Sequence, residues 1–593
     1  MGNSGKNKKS NFNEYYQDEL FFLREMGKEF AESHPALAHY LLEAGSDPDV
    51  ERLLEGFAFL TGRIRQKLDD ELPELTHTVM GMLCPHYLRP VPAMSIVEFE
   101  PQRTLRGKYP IPKIKTEIES SPVSNTRCKF RTCYDFDLLP LSVEDVILEG
   151  QQLRILFKVL NGVQLPTLGI DRLRLNLHGE PLIQYELYNM LCRYVQKVSI
   201  RTSSTAQKNQ EKVKELPKAK IKPVGFDESE GVLPYPTNSF LGYRVIQEYF
   251  TFPDKFMFID IIGMEEISEL EIQDTFEIAF QFSRRPLDSL RLNKDNIHVN
   301  CTPVINIFPR SSEPIRVDKE RTEYRIRPEG PNSNHYEIYS VDRVFGLISG
   351  TTQQYEYNSF YSFDHRLSDR GNIYYQTFLR DSVISENTTE TDISFNDADQ
   401  SIASPTTEIV SAELTCINRQ LTEQLRLGDI KIPTSNSPEV ARFRNITNVT
   451  PTIHLQLGGS LHWKLISHLT LNRLSIATKE ALQGILSLYN FQSFSNRGSV
   501  IENEKRINSI VKVNGIQKNR LYLGIPIRGT EIQVDIQENQ FLSEGDMYLF
   551  CRVLNEFLAL YSTINSFTQL SVKGAGSGEV QTWAMRIGKQ SIL

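Results

Sequence analysis

Residues 47–92 read DPDVERLLEGFAFLTGRIRQKLDDELPELTHTVMGMLCPHYLRPVP, and their spacing predicts a long amphipathic helix followed by a second helix. Apolar residues recur every three or four positions and so gather on one helical face: Val50, Leu53, Leu54, Phe57, Leu60, Ile64 and Leu68. Asp47 can cap the free amides, Pro48 fits the first turn, and Pro73 starts the next helix. A helix of about 24 residues spans roughly 36 Å. We therefore expect part of this stripe to pack against other chains.

A second helix is expected near the start of the chain. Asn11 and Glu14 resemble a capping pair, and Tyr16, Leu20 and Leu23 follow at helical spacing. After Pro92 the pattern changes to short alternating apolar segments, separated by prolines and glycines, which is typical of strands.

The end of the chain mixes both patterns, which predicts an α+β, multidomain fold. Residues 479–488 and 547–563 have helical spacing, whereas residues 508–513 and 531–536 alternate as strands do. A chain of 593 residues is too long for one core. We expect four segments: a helical region at 1–92, β-rich domains at 93–225 and 226–400, and an α+β domain at 401–593.

Composition narrows the class of protein. A net charge of −8 argues against a general nucleic-acid surface, because phosphate neutralisation needs clustered Lys and Arg. No apolar run approaches the roughly 20 residues of a membrane-spanning helix. Phe256–Met264 is short, contains Asp260 and predicts a buried strand instead. The polar start of the chain has no secretory signal pattern. Seven scattered cysteines are typical of reduced thiols in a cytosolic protein.

Three polar stretches predict exposed linkers: residues 202–223, 382–407 and 434–451. The first is rich in lysine, but interleaved glutamates favour a solvated loop over an anion-binding site. A crowded aromatic set at residues 235–258 fits either a partner-binding surface or a core, and the sequence leaves both open.

The search for catalytic chemistry finds little. No phosphate-binding Gly-Lys-Ser/Thr motif occurs, and the glycine-rich residues 573–578 predict a loop. His462 and His468 flank Trp463, but a metal needs at least a third ligand. Cys128 and Cys133 lack a second pair for zinc. The adjacent acidic residues 69–71 point in different directions on a helix. We expect no cofactor, no metal and no enzymatic activity.

Several long strings resemble the TssF family (also called VasA or ImpG), a baseplate subunit of bacterial type VI secretion systems. The strings lie at residues 47–55, 57–60, 63–76, 85–92, 233–258, 299–328, 336–344, 458–476, 528–534 and 559–570. The first ten residues depart from the pattern and are interpreted as a variable tail.

The resemblance implies a cytoplasmic wedge protein, docked to the inner-membrane complex through other subunits. It implies that two copies associate with one TssG, with further contacts to TssK, TssE, the VgrG spike, the Hcp tube and the sheath proteins, and with no nucleic acid and no direct membrane insertion. It also implies an intermolecular helical bundle. We predict that its seam contains Leu53, Phe57, Leu60, Ile64 and Leu68, with Tyr16, Leu20 and Leu23 from the first helix.

Two alternatives are kept. One is a metal-dependent envelope hydrolase centred on the segment from His462 to His468. The other is an acidic membrane-associated adaptor, for which the sequence offers no basic amphipathic helix.

Overall fold

The computed structural model describes parts of the chain between residues 16 and 588. The described residues are 16, 20, 23, 49, 52–63, 79–82, 84–202, 212–217, 219–235, 240–265, 267, 275–287, 289–317, 321–348, 354–360, 373–382, 388–397, 408–454, 478–491, 497–522, 524–560 and 566–588. They divide into two units. The first comprises Met1–Leu83 with Gln456–Ile466, and the second comprises Cys84–Leu455 with Ser467–Leu593.

The first unit is helical wherever it is described before residue 84. Residues 52–63 form a continuous helical segment, here called the seam helix, and residues 79–82 are helical as well. Residues 16, 20, 23 and 49 also have helical conformation. This agrees with the helical region predicted for the start of the chain.

The second unit is built mainly of strands, numbered here in chain order. The strands are β1 (Met94–Pro101), β2 (Tyr109–Ile111), β3 (Glu117–Ser120), β4 (Lys129–Thr132), β5 (Phe136–Leu138), β6 (Leu141–Glu149), β7 (Gln152–Val159), β8 (Arg172–Leu177), β9 (Val195–Thr202), β10 (Lys212–Glu215), β11 (Lys220–Pro223), β12 (Phe258–Ile262), β13 (Thr275–Phe282), β14 (Ile297–Val299), β15 (Cys301–Ile305), β16 (Phe308–Ser311), β17 (Ile315–Val317), β18 (Tyr324–Arg325), β19 (Glu337–Ile348), β20 (Gln354–Ser359), β21 (Ile373–Asp381), β22 (Thr389–Asp397), β23 (Glu408–Ile417), β24 (Ile430–Pro433), β25 (Ala441–Asn445), β26 (Ile510–Tyr522), β27 (Ile525–Ile536), β28 (Ser566–Gly574), β29 (Val580–Thr582) and β30 (Arg586–Ile587).

Helices of the second unit are fewer. They are α1 (Pro181–Arg193), α2 (Leu241–Thr251), α3 (Lys479–Leu488), α4 (Arg497–Asn508) and α5 (Glu544–Leu560). Short 3-10 turns occur at Pro85–Tyr87, Leu165–Leu168, Glu228–Glu230, Pro253–Phe256, Lys294–Asn296, Ser333–His335, Arg419–Gln424 and Glu538–Gln540. Together with the strands they confirm the α+β class.

The strands form sheets that join distant parts of the chain. The sheet orders are β24-β3-β4-β15-β1-β25, β10-β9-β13-β7-β6, β11-β12-β8-β14, β16-β23-β19-β20-β21-β22-β18 (with β17 on β23), β2-β5, and β26-β27-β28-β29 (with β30 on β28). Neighbouring strands are antiparallel except the pairs β20–β21 and β27–β28. In β7, alternate residues are buried, as expected where one face of a sheet packs on a core.

The predicted strand within residues 256–264 is confirmed as β12, and Asp260 on it is buried. Its carboxylate accepts hydrogen bonds from Nε and Nη2 of Arg174 at 2.7 and 2.8 Å. Two predicted helices are also confirmed. α3 has the predicted bounds, and α5 covers most of the predicted 547–563.

The three predicted linkers are wrong in part, because each contains strands. Residues 202–223 contain β10 and β11, residues 382–407 contain β22, and residues 434–451 contain β25. The strands in them are stabilised by pairing with partner strands, some of them distant in the chain, which a local polar composition does not reveal. β25, for example, pairs with β1, more than 300 residues earlier.

The two units also differ from the four segments expected from composition. The sheet containing β1 takes strands from residues 93–225, 226–400 and 401–593. Residues 84–92 belong to the second unit rather than to the helical start. Changes in composition mark where secondary structure changes, but long-range strand pairing determines which segments share a core.

Candidate partner-binding surface

The seam helix exposes three of its predicted seam residues. Leu53, Phe57 and Leu60 are 65%, 61% and 59% exposed. They follow the i, i+4, i+7 spacing that places side chains on one helical face. Ala58 of the same helix is fully buried, so the helix is anchored while the stripe faces outward. Phe59, 45% exposed, extends the apolar surface.

The polar groups described on the seam helix interact with residues of the same helix or just before it. The Thr61 hydroxyl donates to the backbone carbonyl of Phe57 at 2.7 Å, within the preceding turn. Arg52 Nη1 lies 3.7 Å from the Asp49 carboxylate, and both side chains are exposed. A pair this exposed adds little stability. The apolar stripe is therefore the distinctive feature of this helix.

The other predicted seam residues are not exposed or are not described, so they give less support to the predicted seam. Leu20 is buried within the single chain, whereas Tyr16 and Leu23 are half-buried. Ile64 and Leu68 lie outside the described residues. The seam as a whole stays a prediction. Three of its residues, Leu53, Phe57 and Leu60, are exposed in the single chain.

The residues considered as possible enzyme centres are mostly not described or are buried. His462, His468 and the acidic residues 69–71 lie outside the described residues. Cys128 and Cys133 are buried, and burial raises the pKa of each thiol to about 12, so both stay protonated near neutral pH. No group of three or more His, Cys, Asp or Glu in the described ranges is arranged to hold a metal ion.

Two buried charged residues of the second unit, Lys255 and Glu248, pair with each other. The Lys255 ammonium contacts the Glu248 carboxylate, which also accepts from the backbone amides of Val232 and Leu233 at 2.7 and 2.8 Å. Burial lowers the pKa of Lys255 despite the attraction of Glu248. The cavity beside Arg174, about 20 Å³, has room for about one water molecule. The Lys255 and Glu248 side chains are 1% and 0% exposed.

A larger cleft of about 540 Å³ lies along β9, β10 and the end of α1. Its thiol, Cys192, has a pKa raised to about 12 by burial. Lys197 and Glu215, at opposite sides of a strand pair, form an exposed ion pair at 3.1 Å. A protonated thiol and a solvated ion pair supply neither a nucleophile nor a general base.

The glycine-rich loop at residues 573–578 binds a carboxylate of this chain. The amides of Gly576 and Ser577 each donate to Oε2 of Glu538 at 3.0 Å. The Ser577 hydroxyl also donates to the Glu538 carboxylate. This hydrogen bond has the largest effect, and together with the two amide hydrogen bonds it lowers the pKa of Glu538. The predicted loop is confirmed for residues 575–578, between β28 and β29, whereas Lys573 and Gly574 end β28.

The aromatic set at residues 235–258 belongs to the core. Tyr243, Tyr249, Phe250, Phe256 and Phe258 are all buried within the single chain. Tyr243 stacks on Tyr489, with ring centroids 4.6 Å apart. Of the two readings left open by the sequence, the structure supports the core for these residues.

Sequence reasoning missed a second exposed apolar region, at the far end of the β26–β27 hairpin. Leu521 there is 75% exposed and Tyr522 is 41% exposed. The strands predicted at 508–513 and 531–536 lie in β26 and β27, except that Asn508 ends α4 and β26 begins at Ile510, and the prediction did not include residues 514–530. The available signal was the run RLYLGIPI at 520–527, which has apolar residues on both sides of a glycine turn.

No helix in the described residues is long and apolar enough to cross a membrane.

Comparison with known proteins gives one consistent family. The profile described as "Type VI secretion system, TssF" matches residues 8–590. The curated "Type VI secretion system component TssF1" of Pseudomonas aeruginosa is 29% identical over 627 aligned positions, covering 98% of this chain and 99% of that protein.

Two solved structures agree with it. A chain in a TssK-TssF-TssG baseplate subcomplex, determined by cryo-electron microscopy, has a TM-score of 0.74 and 30% identity, covering 91% of this chain and 99% of its own. A chain in a type VI secretion system baseplate complex has a TM-score of 0.62 and 25% identity, covering 98% and 100%. Neither similarity supports the hydrolase alternative. Because the family profile spans almost the entire sequence, this chain belongs to the TssF family, the baseplate components of the type VI secretion system.

Proposed function

We propose that this chain acts as a non-enzymatic wedge subunit, joining the baseplate through the stripe on its seam helix. One similar chain lies in a TssK-TssF-TssG baseplate subcomplex, and this chain is proposed to bind the corresponding TssK and TssG proteins. Two copies per TssG, and contacts to TssE, the VgrG spike and the Hcp tube, form the finer part of the proposal. Its location is the cytoplasm.

The observation that carries the proposal is the exposure of Leu53, Phe57 and Leu60 on one helical face. Contiguous apolar surface of this kind marks protein–protein contact in soluble proteins. Each such side chain stabilises a contact by about 1.5–3 kcal/mol when fully buried. These three residues are among those predicted for the seam of the bundle that the family resemblance implies.

Assembly is tested by coexpressing the chain with its cognate TssG-like protein and measuring the complex mass by light scattering. A stable two-to-one complex supports the wedge proposal. A monomer that ignores the partner contradicts it. His462→Ala and His468→Ala in the same chain address the hydrolase alternative, which requires that secretion be lost in both variants.

We predict that Phe57→Asp abolishes assembly without unfolding the chain. Phe57 is exposed in the single chain, so its replacement should change the free energy of unfolding by no more than about 0.5 kcal/mol. In a buried seam, however, an unpaired carboxylate is strongly unfavourable. Urea unfolding of the isolated chain and light scattering of the coexpressed complex measure the two effects.

Leu427→Asp is the matched control, because Leu427 is 57% exposed in the second unit. It should leave the complex intact. If the Phe57→Asp complex has the wild-type mass, the seam assignment is wrong.

A further inference from the structure

The β26–β27 hairpin extends past the sheet to which it belongs. Strand β28 pairs with β27 from Arg528 onward, so β27 before that residue pairs only with β26 among the described strands. The hairpin residues 514–528 are here called the arm. In the arm, every residue of β26 from Asn514 to Tyr522 is exposed.

A two-stranded ribbon of this kind is marginally stable when water surrounds both faces. The arm nonetheless carries exposed apolar side chains, Ile516, Leu521 and Tyr522. These residues add to the surface that a partner could cover. Exposure to water alone does not account for these apolar side chains at the end of the hairpin.

The arm carries a net positive charge, whereas the complete chain is acidic. Lys518, Arg520 and Arg528 lie in it, and residues 514–528 include no Asp or Glu, whereas the complete chain has a net charge of −8. At the root of the arm, Glu531 lies 2.5 Å from Lys518 and 3.5 Å from Arg520. Arg528 donates to the side-chain oxygen of Gln517 at 2.8 Å. One carboxylate thus faces two cations, and a net positive charge remains.

The outer edge of β26 is available for a further strand. β26 is the terminal strand of its sheet among the described residues. The register pairs Tyr522 with Ile525 at the turn, so the even-numbered residues make the ladder bonds to β27. The backbone amides of Gln517 and Asn519 therefore point to the open edge. Such an edge is a template for strand addition.

We propose that the arm docks an extended acidic segment of another protein, which adds to β26 as a strand. Its backbone pairs with the open edge, its carboxylates lie beside Lys518 and Arg520 on one face of the arm, and its apolar residues cover Leu521 on the opposite face. A second arm is a poor occupant, since two cationic edges repel each other. This surface is separate in sequence from the seam helix, and its proposal does not depend on the seam.

The test uses the full-length chain and a labelled peptide of twelve residues that alternates Glu and Val. Fluorescence anisotropy should show binding that weakens with added salt, since exposed charges are screened. Asn519→Pro removes an outward amide but no ladder bond, and proline is tolerated on edge strands. It should weaken binding at least tenfold.

Lys518→Glu with Arg520→Glu is a second variant that needs no backbone change, and it should also weaken binding at least tenfold at low salt. The matched control is Lys294→Glu with Lys431→Glu, an equal change of charge at exposed positions away from the arm. The control should bind as wild type does. Urea midpoints of all variants establish that each is folded.

Three results would overturn the proposal. One is failure of the wild-type chain to bind the peptide. Another is equal binding of a peptide with a central proline, which cannot add as a strand. The third is tighter binding of a single-stranded RNA oligonucleotide than of the peptide, which assigns the arm to nucleic acid.

Discussion

At the scale of single residues, His86 illustrates how burial sets a pH limit on stability. The imidazole is buried, stacks on Tyr235 with ring centroids 4.2 Å apart, and lies 3.4 Å from the Tyr489 hydroxyl. Burial, with a smaller effect of Arg89, lowers its pKa to about 3. In the unfolded chain the pKa is about 6.5. Below that pH the unfolded state binds a proton that the folded state does not, so stability falls as pH falls from about 6.5 to 3.

We predict that His86→Phe removes this part of the pH dependence while keeping the stacked ring. Each pKa unit corresponds to about 1.4 kcal/mol, so His86 should cost the wild type about 2 kcal/mol between pH 6.5 and pH 5. Urea midpoints at pH 8 and pH 5 measure the effect. The difference between the two pH values should be smaller in the variant by about that amount. An unchanged difference would mean that the imidazole accepts a proton while the protein stays folded.

At the scale of elements, α5 packs so closely on α1 that it requires a glycine. A Cβ added at Gly545 would lie 2.1 Å from the backbone oxygen of Tyr185. Because the obstacle is backbone rather than a mobile side chain, the helices must separate. We predict that Gly545→Ala destabilises the fold by about 1–3 kcal/mol, despite the higher helix propensity of Ala. Gly107→Ala, with nothing within 4 Å of the added Cβ, is the control. Equal urea midpoints for both variants would contradict the close packing.

The elements also show what the sequence could reveal. α3 and α5 were predictable because their apolar spacing is local and strong. β22 was not, because its sequence is polar although Thr391, Asp392 and Ile393 are buried in a sheet assembled from distant strands. The stripe on the seam helix was predictable as a surface, but no pattern within one chain identifies the residues that would bind it. The arm was missed because few of its side chains are buried, so its sequence lacks the alternation of apolar and polar residues that predicts a strand.

At the scale of the whole molecule, the boundary between the units lies before residue 84 rather than after residue 92. Residues 84–92 contribute contacts within the second unit. Tyr87 donates its hydroxyl to the carbonyl of Leu488 at 3.2 Å, and Val91 exchanges two backbone hydrogen bonds with Ile453 at 2.8 and 2.9 Å. Val91 is also buried. The prolines that suggested an exit from the helical region are therefore the first residues of the second unit.

Two deletions test this boundary. Removing residues 1–83 should leave the second unit folded with a cooperative urea transition, while assembly with the TssG-like partner is lost along with the seam helix. Removing residues 1–92 should lower the stability of the remaining chain by at least about 3 kcal/mol more, because burial of the His86, Tyr87 and Val91 side chains disappears. Tryptophan fluorescence during urea unfolding measures both. Equal stability of the two truncated chains would place the boundary after residue 92, and loss of cooperative unfolding in the shorter deletion would show that the second unit depends on the first.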